Sequence, residues 1–303
     1  MIFEPAARPS WTSENIKNSK GGKVTPYYIT NTDQKGHYYS ITAMLQKDFN
    51  FGLSMMAAYT RSESMSVSEG IGDQVSSAYN TNTYNRMGSN VAELGHSSYV
   101  SPNRIIANIS YRIKEGSFGA TTVGLFYEGY NHCYVGNYSY TRTSYLIGTR
   151  SGDKVNAVTG DGGALNLMYI PTDAELATMP FANEANKAAF KSFLESDKYL
   201  SKHRGEYSER GAAVAPWNHR FNLKVAQDFN FRVAKKQNTI QVALDVNNLG
   251  NLLNSNWGVH KKLGSETVLE WDGTNYTYKA PKWTNLTTYA STWEMLLSVR
   301  WFF

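Results

Sequence analysis

The sequence predicts an all-β protein, folded as an antiparallel up-and-down meander of about seven strands. Three observations carry this prediction. Apolar and polar residues alternate along several segments of about nine to eleven residues, as expected for strands with one apolar and one polar face. The connections between these segments are alternately tight and very long, and aromatic residues collect at the segment ends. Together these features are typical of an outer-membrane β-barrel.

Four of the strands are predicted in the first half of the chain. Apolar residues recur at every second position, apart from Lys47 in the first segment, and in the first and third segments the residues between are mostly polar or charged. Tight turns at Asn50 and at Gly116 join them into two hairpins. The predicted segments are residues 39–49, 51–59, 105–113 and 123–127.

Three more strands are predicted toward the C-terminus, at residues 217–231, 240–246 and 293–303. A short polar turn around Lys235 joins the first two into a hairpin. The last segment alternates most strictly, because every odd position from Trp293 to Phe303 is apolar while Glu294 and Arg300 lie between. All seven apolar rows are long enough to cross a bilayer at a tilt.

Three long connections alternate with the three tight turns. We expect the turns at one end of the sheet and the long loops at the other, outer end. A compact soluble domain with three such loops would be unusual. The predicted layout is one barrel portion over residues 36–303, with a lead-in at 1–35 and long loops at about 62–101, 143–215 and 250–288.

Composition narrows the functional classes. Aromatic residues make up 14% of the chain, yet the mean hydropathy is −0.46, and no run of 18 apolar residues predicts a helical membrane span. The net charge of +5 comes without a basic cluster, which argues against a nucleic-acid surface. The single cysteine, Cys133, has no partner for an internal disulfide. No cofactor is predicted.

The first residues, Met1 to Pro5, lack the basic and apolar segments of a secretory signal. Seven strands also depart from the even number usual in single-chain bacterial barrels. An open seven-stranded sheet would leave two unpaired edges in lipid. Both features lead us to expect that the chain is the C-terminal piece of a longer protein.

Several motifs in a fixed order resemble the C-terminal third of the barrel of TonB-dependent outer-membrane receptors, specifically the Oar-like branch. The resemblance extends from about Tyr27 to Phe303. The motifs are GHYYSIT (residues 36–42), LQK (45–47), PNRIIA (102–107), LMYIPT (167–172), YLSKHRG (199–205), APW (215–217), NNLGNLLN (247–254) and WG (257–258).

This resemblance implies a receptor in the bacterial outer membrane that imports scarce nutrients. Its barrel would have 22 strands and would be filled by an N-terminal plug that contacts TonB. The present chain would supply strands 16 to 22 and would contain no plug domain. The implied partners are outer-membrane lipid, the rest of the barrel and its plug, and TonB only through the N-terminal part.

The longest loop is predicted to contain short helices. Thr172 to Glu175 form a capping-box pattern, and Asn183 can cap a helix extending to about His203, with Phe190 and Leu194 on one face. Such a helix would serve either as an external lid or as an ordered cover. A calcium loop at Asp153, Asp161 and Gly162 is weakly indicated, but the full ligand spacing of an EF-hand is absent, and no metal site is predicted.

Catalysis receives little support, and we expect no enzyme. The six histidines are scattered, and His203 with Glu206 lacks the second histidine of a zinc-protease motif. On the predicted inner face, charged residues could contact a solute or the plug, or could instead pair with cross-strand neighbours. These candidates are Arg220, Lys224, Asp228, Asp245, Glu294 and Arg300.

Two other interpretations stay open. In one, the protein is a non-transporting surface protein whose long loops bind a partner or mediate adhesion. In the other, the strands form a soluble β-sandwich, which predicts that the apolar rows face one another in a water-free core. The lopsided loops and terminal aromatic residues argue against the sandwich.

Overall fold

Seven long strands form the main antiparallel sheet of the protein. The structure is a computed structural model and describes residues 31–69, 84, 93–149 and 165–303. Each long strand pairs with the next one along the chain, so the predicted up-and-down meander is confirmed. The short strand Gly95–His96 adds to the end of the second long strand. The long strands are β1 (His37–Asp48), β2 (Leu53–Ser66), β3 (Asn103–Lys114), β4 (Gly119–Asn131), β5 (Trp217–Val233), β6 (Lys236–Asn247) and β7 (Glu294–Phe302).

The three tight turns lie where the sequence predicts them. Gly52 and Gly116 have φ values of 98° and 64°, which glycine adopts without steric cost. The turn between β5 and β6 is different, because Ala234 and Lys235 take φ values of 49° and 68° without being glycine. A two-residue hairpin turn of type I′ requires positive φ at both positions, so the register of this hairpin imposes the conformation. Since the strands are antiparallel, all three turns lie at one end of the sheet.

The strand register places the apolar residues of all seven strands on one face. Leu125, for example, lies opposite Ile109 on one side and Leu223 on the other, and the row continues from Leu223 to Val246. One position along, the opposite face carries Lys224 beside Asp245. Period-2 alternation is therefore in phase across the whole sheet. The row that contains Leu125 consists of Met55, Ile109, Leu125, Leu223, Val246 and Met295, and β1 places Lys47 beside Met55.

The apolar face is exposed rather than packed against a second sheet. Leu45 is 81% exposed, and Leu297 and Val299 are 68% and 67% exposed. The β-sandwich alternative, which requires these rows to be buried, is therefore wrong for the described part of the chain. The main cluster of buried hydrophobic residues lies in the loops instead.

The structure corrects the predicted loop boundaries. β4 ends at Asn131, so the second long loop begins about ten residues before the predicted position 143. The chain leaves the sheet there because Cys133–Val135 pairs with Lys261–Leu263 of the third loop instead of with β5. The first long loop is shorter than predicted, since β2 reaches Ser66. Most of the predicted lead-in and the calcium candidates Asp153, Asp161 and Gly162 lie outside the described residues.

The second and third long loops fold together through short strands. Two pairings between them are parallel: Cys133–Val135 with Lys261–Leu263, and Leu146–Thr149 with Thr267–Trp271. We call the described residues 132–149, 165–216 and 259–285 the loop cap. Its remaining strands are Tyr138–Tyr140, Arg142–Thr143, Leu165–Leu167, Tyr169–Ile170, Glu206–Tyr207, Ala213–Val214, Tyr276–Tyr278 and Trp283–Asn285.

Two helices of the loop cap begin where their caps predict. α1 (Asp173–Thr178) has a complete capping box between Thr172 and Glu175, and Asn183 caps α2 (Glu184–Ser196) by accepting from the backbone N–H of Asn186. α2 ends at Ser196, not near His203 as predicted. Asp197 is extended there, and its carboxylate accepts from the backbone N–H groups of the next turn, which continues as the 3₁₀ segment Leu200–Lys202.

α2 packs into the core of the loop cap. Phe190 and Leu194 are fully buried, as the predicted apolar face requires. The helix is thus an integral part of an ordered cover. The core is completed by residues of both loops, including Met168, Ile170, Leu200, Val268, Leu269 and Trp271.

A buried asparagine anchors the third loop at the end of β6. Asn248 is fully buried; its backbone N–H donates to Asn222 Oδ1, and its side-chain amide donates to the carbonyls of Gly258 and Ser291. It precedes the short helix α3 (Leu249–Leu253). The loop ends with the 3₁₀ turn Tyr289–Ser291, just before β7 begins at Glu294.

Replacing Gly258 by alanine is expected to destabilise the protein by about 2–4 kcal/mol. Gly258 has a φ of 62°, and a Cβ there would overlap Asn248 Oδ1 and disturb its buried hydrogen bonds. Gly116→Ala is the matched control, because Gly116 has a φ of 64° but open space around a Cβ, and it should cost only about 1 kcal/mol. Urea unfolding followed by tryptophan fluorescence compares the two; equal losses would show that the Asn248 anchor contributes nothing.

Candidate functional site

A hydrogen-bonded network crosses the polar face of the sheet. Arg112 Nη2 lies 2.7 Å from Asp228 Oδ2, and Gln241 Nε2 donates to Asp228 Oδ1 over 2.8 Å. Arg300 Nη1 in turn donates to Gln241 Oε1 over 3.3 Å. Two sequence-predicted candidates, Asp228 and Arg300, are therefore joined through Gln241 of β6, while Arg112 of β3 binds Asp228 from the other side. Asp228 is buried, so water and salt screen its ion pair with Arg112 less than they screen a fully exposed pair.

The other candidates lie on the same face toward the loops. Lys224 Nζ is 3.3 Å from Asp245 Oδ1, across the β5–β6 pairing. Both side chains are partly exposed, so this pair contributes at most about 1 kcal/mol. Arg220 lies opposite Glu128 in the strand register, and Glu294 lies opposite Asn247 at the loop end of β7. Cross-strand pairing thus accounts for Lys224, Asp228, Asp245 and Arg300, and contact with a solute stays a prediction.

The structure brings two histidines together that the sequence presents as scattered. The ring centroids of His132 and His260 are 4.5 Å apart, and the ring of Tyr134 packs against both. The Asn218 amide donates to His260 Nδ1 over 2.9 Å. Burial, followed by the nearby His132 and Arg220, lowers the pKa of His260 to about 4. His260 is therefore neutral near pH 7 and joins the third loop to the second.

Sequence spacing gave no signal for this histidine pair, because it depends on the parallel pairing of two distant loop segments. The other histidines occupy separate places. His96 lies between Glu63 and Glu209, at 3.2 and 3.4 Å. His219 accepts from or donates to the Tyr127 hydroxyl on the apolar face over 2.8 Å. Across the described residues, no three His, Cys, Asp or Glu side chains are placed to share a metal ion.

The chain was compared with protein-family models, with curated proteins and with solved structures, and none of the three comparisons gave a match. Within the described ranges, no helix combines the length and apolar character needed to cross a membrane.

Proposed function

We propose that this chain forms part of the wall of a TonB-dependent transporter in the bacterial outer membrane, which imports a nutrient and catalyses no reaction. The observation that carries the proposal is the exposed apolar face, continuous over seven strands in register. Exposed apolar patches on soluble monomers rarely exceed a few hundred Å². An apolar face of seven strands is stable against the hydrocarbon of a bilayer, whereas in water it would promote aggregation. The resemblance of the sequence motifs supplies the transporter class.

Aromatic side chains at both ends of the strands support a membrane position. At the turn end, Phe49 packs against Phe51, and Phe118 packs edge-on against Phe229, with ring centroids 5.3 and 5.6 Å apart. At the loop end, exposed aromatic residues include Trp217 and Trp293, and Tyr59 lies halfway along β2. Aromatic residues favour both interfaces of a bilayer, so aromatic residues near both ends of the sheet support a membrane-spanning position.

The opposite face suits a hydrated lumen. Its charges are paired across strands, and its rows combine small and polar residues such as Ser54 and Ser110. The outer edges of β1 and β7 have no partner strand among the described residues. In lipid, each unpaired backbone group on these edges would cost several kcal/mol. The proposal therefore requires further strands to complete the wall. The proposed partners are therefore lipid, the remaining barrel with its plug, and TonB acting through that remainder.

Cysteine labelling in intact cells tests the membrane orientation. Thr274→Cys, in the exposed turn between two strands of the loop cap, should react with a membrane-impermeant maleimide. Lys236→Cys, at the exposed first residue of β6 beside the turn at the other end, should react only after the outer membrane is permeabilised. The native Cys133 is fully buried and should give little background. Equal labelling of both positions in intact cells would contradict the proposal.

Uptake separates transport from the alternative of a surface protein that binds a partner or mediates adhesion. A transporter requires TonB, so cells with the protein should outgrow cells lacking it on at least one limiting nutrient, and deletion of TonB should abolish that advantage. If the protein passes the labelling test but gives no TonB-dependent growth advantage, the result would support the alternative of a surface protein that binds a partner or mediates adhesion.

A further inference from the structure

A small cavity lies between the second and third long loops, within the loop cap. Its volume is about 140 Å³. Phe193 of α2 and Trp283 of the third loop contribute aromatic walls, and Pro281 adds an apolar edge. A cavity of this size holds a molecule of roughly the size of benzene. Both loops contribute to the lining, so an occupant would contact both.

Two carboxylates line this cavity. The carboxylate of Asp197 is well satisfied, because Oδ2 accepts from the Tyr145 hydroxyl over 2.7 Å and Oδ1 accepts from two backbone N–H groups. Glu266 differs, since among the described residues its carboxylate accepts one hydrogen bond, at Oε1 from the backbone N–H of Ser144 over 2.7 Å. A carboxylate offers about four acceptor positions, so Glu266 retains acceptor capacity.

The described residues that line the cavity carry no positive charge. Among the residues that the structure describes, no lysine, arginine or histidine lines the cavity, and none forms a salt bridge with Glu266. Burial raises the pKa of Glu266 to about 7; the hydrogen bond from Ser144 opposes this rise, and the nearby carboxylate of Glu69 adds to it. A buried carboxylate without a cation is costly, and a cationic partner would restore its charged form.

Aromatic rings and carboxylates recognise the same kind of ligand. The faces of Trp, Tyr and Phe attract organic cations, and a carboxylate accepts charge-assisted hydrogen bonds from an ammonium group. We infer that this cavity binds a small organic ammonium ion, with its apolar part between Phe193 and Trp283 and its ammonium group at Glu266. The inference does not rest on the membrane role, because all the lining residues belong to the loop cap.

Saturation-transfer NMR with the full-length protein in a nonionic detergent tests the inference. The probes are benzylammonium, its neutral analogue benzyl alcohol and its anionic analogue benzoate. Benzylammonium should bind about tenfold or more tightly than benzyl alcohol, as expected for one charge-assisted hydrogen bond, and benzoate should not bind. Benzyl alcohol also controls for partition into detergent. Equal binding of the alcohol and the ammonium ion, or no binding of either, would overturn the inference.

Variants identify the site. Glu266→Gln should weaken benzylammonium binding about tenfold or more, whereas Glu270→Gln, which removes an exposed carboxylate of the same loop, should leave it unchanged. Trp283→Ala should weaken binding of the ammonium ion and of the alcohol together. Unchanged binding in Glu266→Gln would exclude this site.

The wild-type protein supplies a test that needs no variant. Since the ammonium ion requires an ionised Glu266, its affinity should fall about tenfold or more between pH 8 and pH 5.5, across the raised pKa of that group. Benzyl alcohol should bind with little pH dependence. A pH-independent affinity for benzylammonium would contradict the role of Glu266, whatever the outcome of the labelling and uptake experiments.

Discussion

Replacing Ile109 by arginine is expected to destabilise the membrane-embedded protein by about 2–4 kcal/mol. Ile109 lies at mid-height of β3, on the apolar face, between Met55 and Leu125. Its side chain is 41% exposed, so an arginine would meet no steric obstacle from the protein. The whole effect should come from placing a guanidinium in hydrocarbon. The free energy of unfolding in lipid vesicles measures it.

The neighbouring position provides the matched control. Ser110 follows Ile109 directly and therefore lies on the polar face, beside Ser54 and Gly124. Ser110→Arg should change the free energy of unfolding by about 0.5 kcal/mol or less, as most surface substitutions do. If both variants were equally mild, the apolar face would not contact lipid and the proposed membrane position would be wrong.

Replacing Phe190 by alanine is expected to destabilise the loop cap by about 3–5 kcal/mol. Phe190 is fully buried, and its ring contacts those of Phe181 and Tyr278 with centroids 5.7 and 5.6 Å apart. Removing it leaves a cavity at the junction of α2 with the third loop. Because this core lies in the loops, the loss should appear as faster amide hydrogen exchange there, while β1 to β7 keep their protection.

Lys191→Ala is the control for this variant. Lys191 follows Phe190 on α2, but its side chain is half exposed and pairs only with Glu195 one turn away. Its loss should cost no more than about 0.5 kcal/mol. If Phe190→Ala left exchange in the third loop unchanged, then the two loops would not share one core.

The strands were predictable because each follows from a local rule. Strict alternation between Trp293 and Phe303, for example, has no helical solution, and it needs no distant contact to be recognised. The same holds for the helix starts at Thr172 and Asn183, where a side chain caps a backbone three residues away. The end of α2 was missed because Asp197 stops the helix with a local turn that apolar spacing does not reveal.

The loops were less predictable because their contacts are non-local. Nothing in the sequence around Cys133 indicates a parallel partner at Lys261, so the second long loop was predicted to begin only at about residue 143. The histidine pair and the Glu266 cavity depend on the same pairing and were missed with it. On the polar face, alternation places Asp228 and Arg300 correctly, but it does not identify Gln241 as the residue that joins them.

The parallel pairings between the loops also have a consequence for the order of folding. Each joins segments that are distant in the chain and attached to different strands, so closing either one alone would sacrifice much chain entropy. Once β4 to β7 stand side by side, the sheet already holds the loop ends close, and the remaining closure is short. We therefore expect the sheet to act as the template on which the loop cap assembles, and the loop cap to be the last described part of the chain to acquire its native contacts.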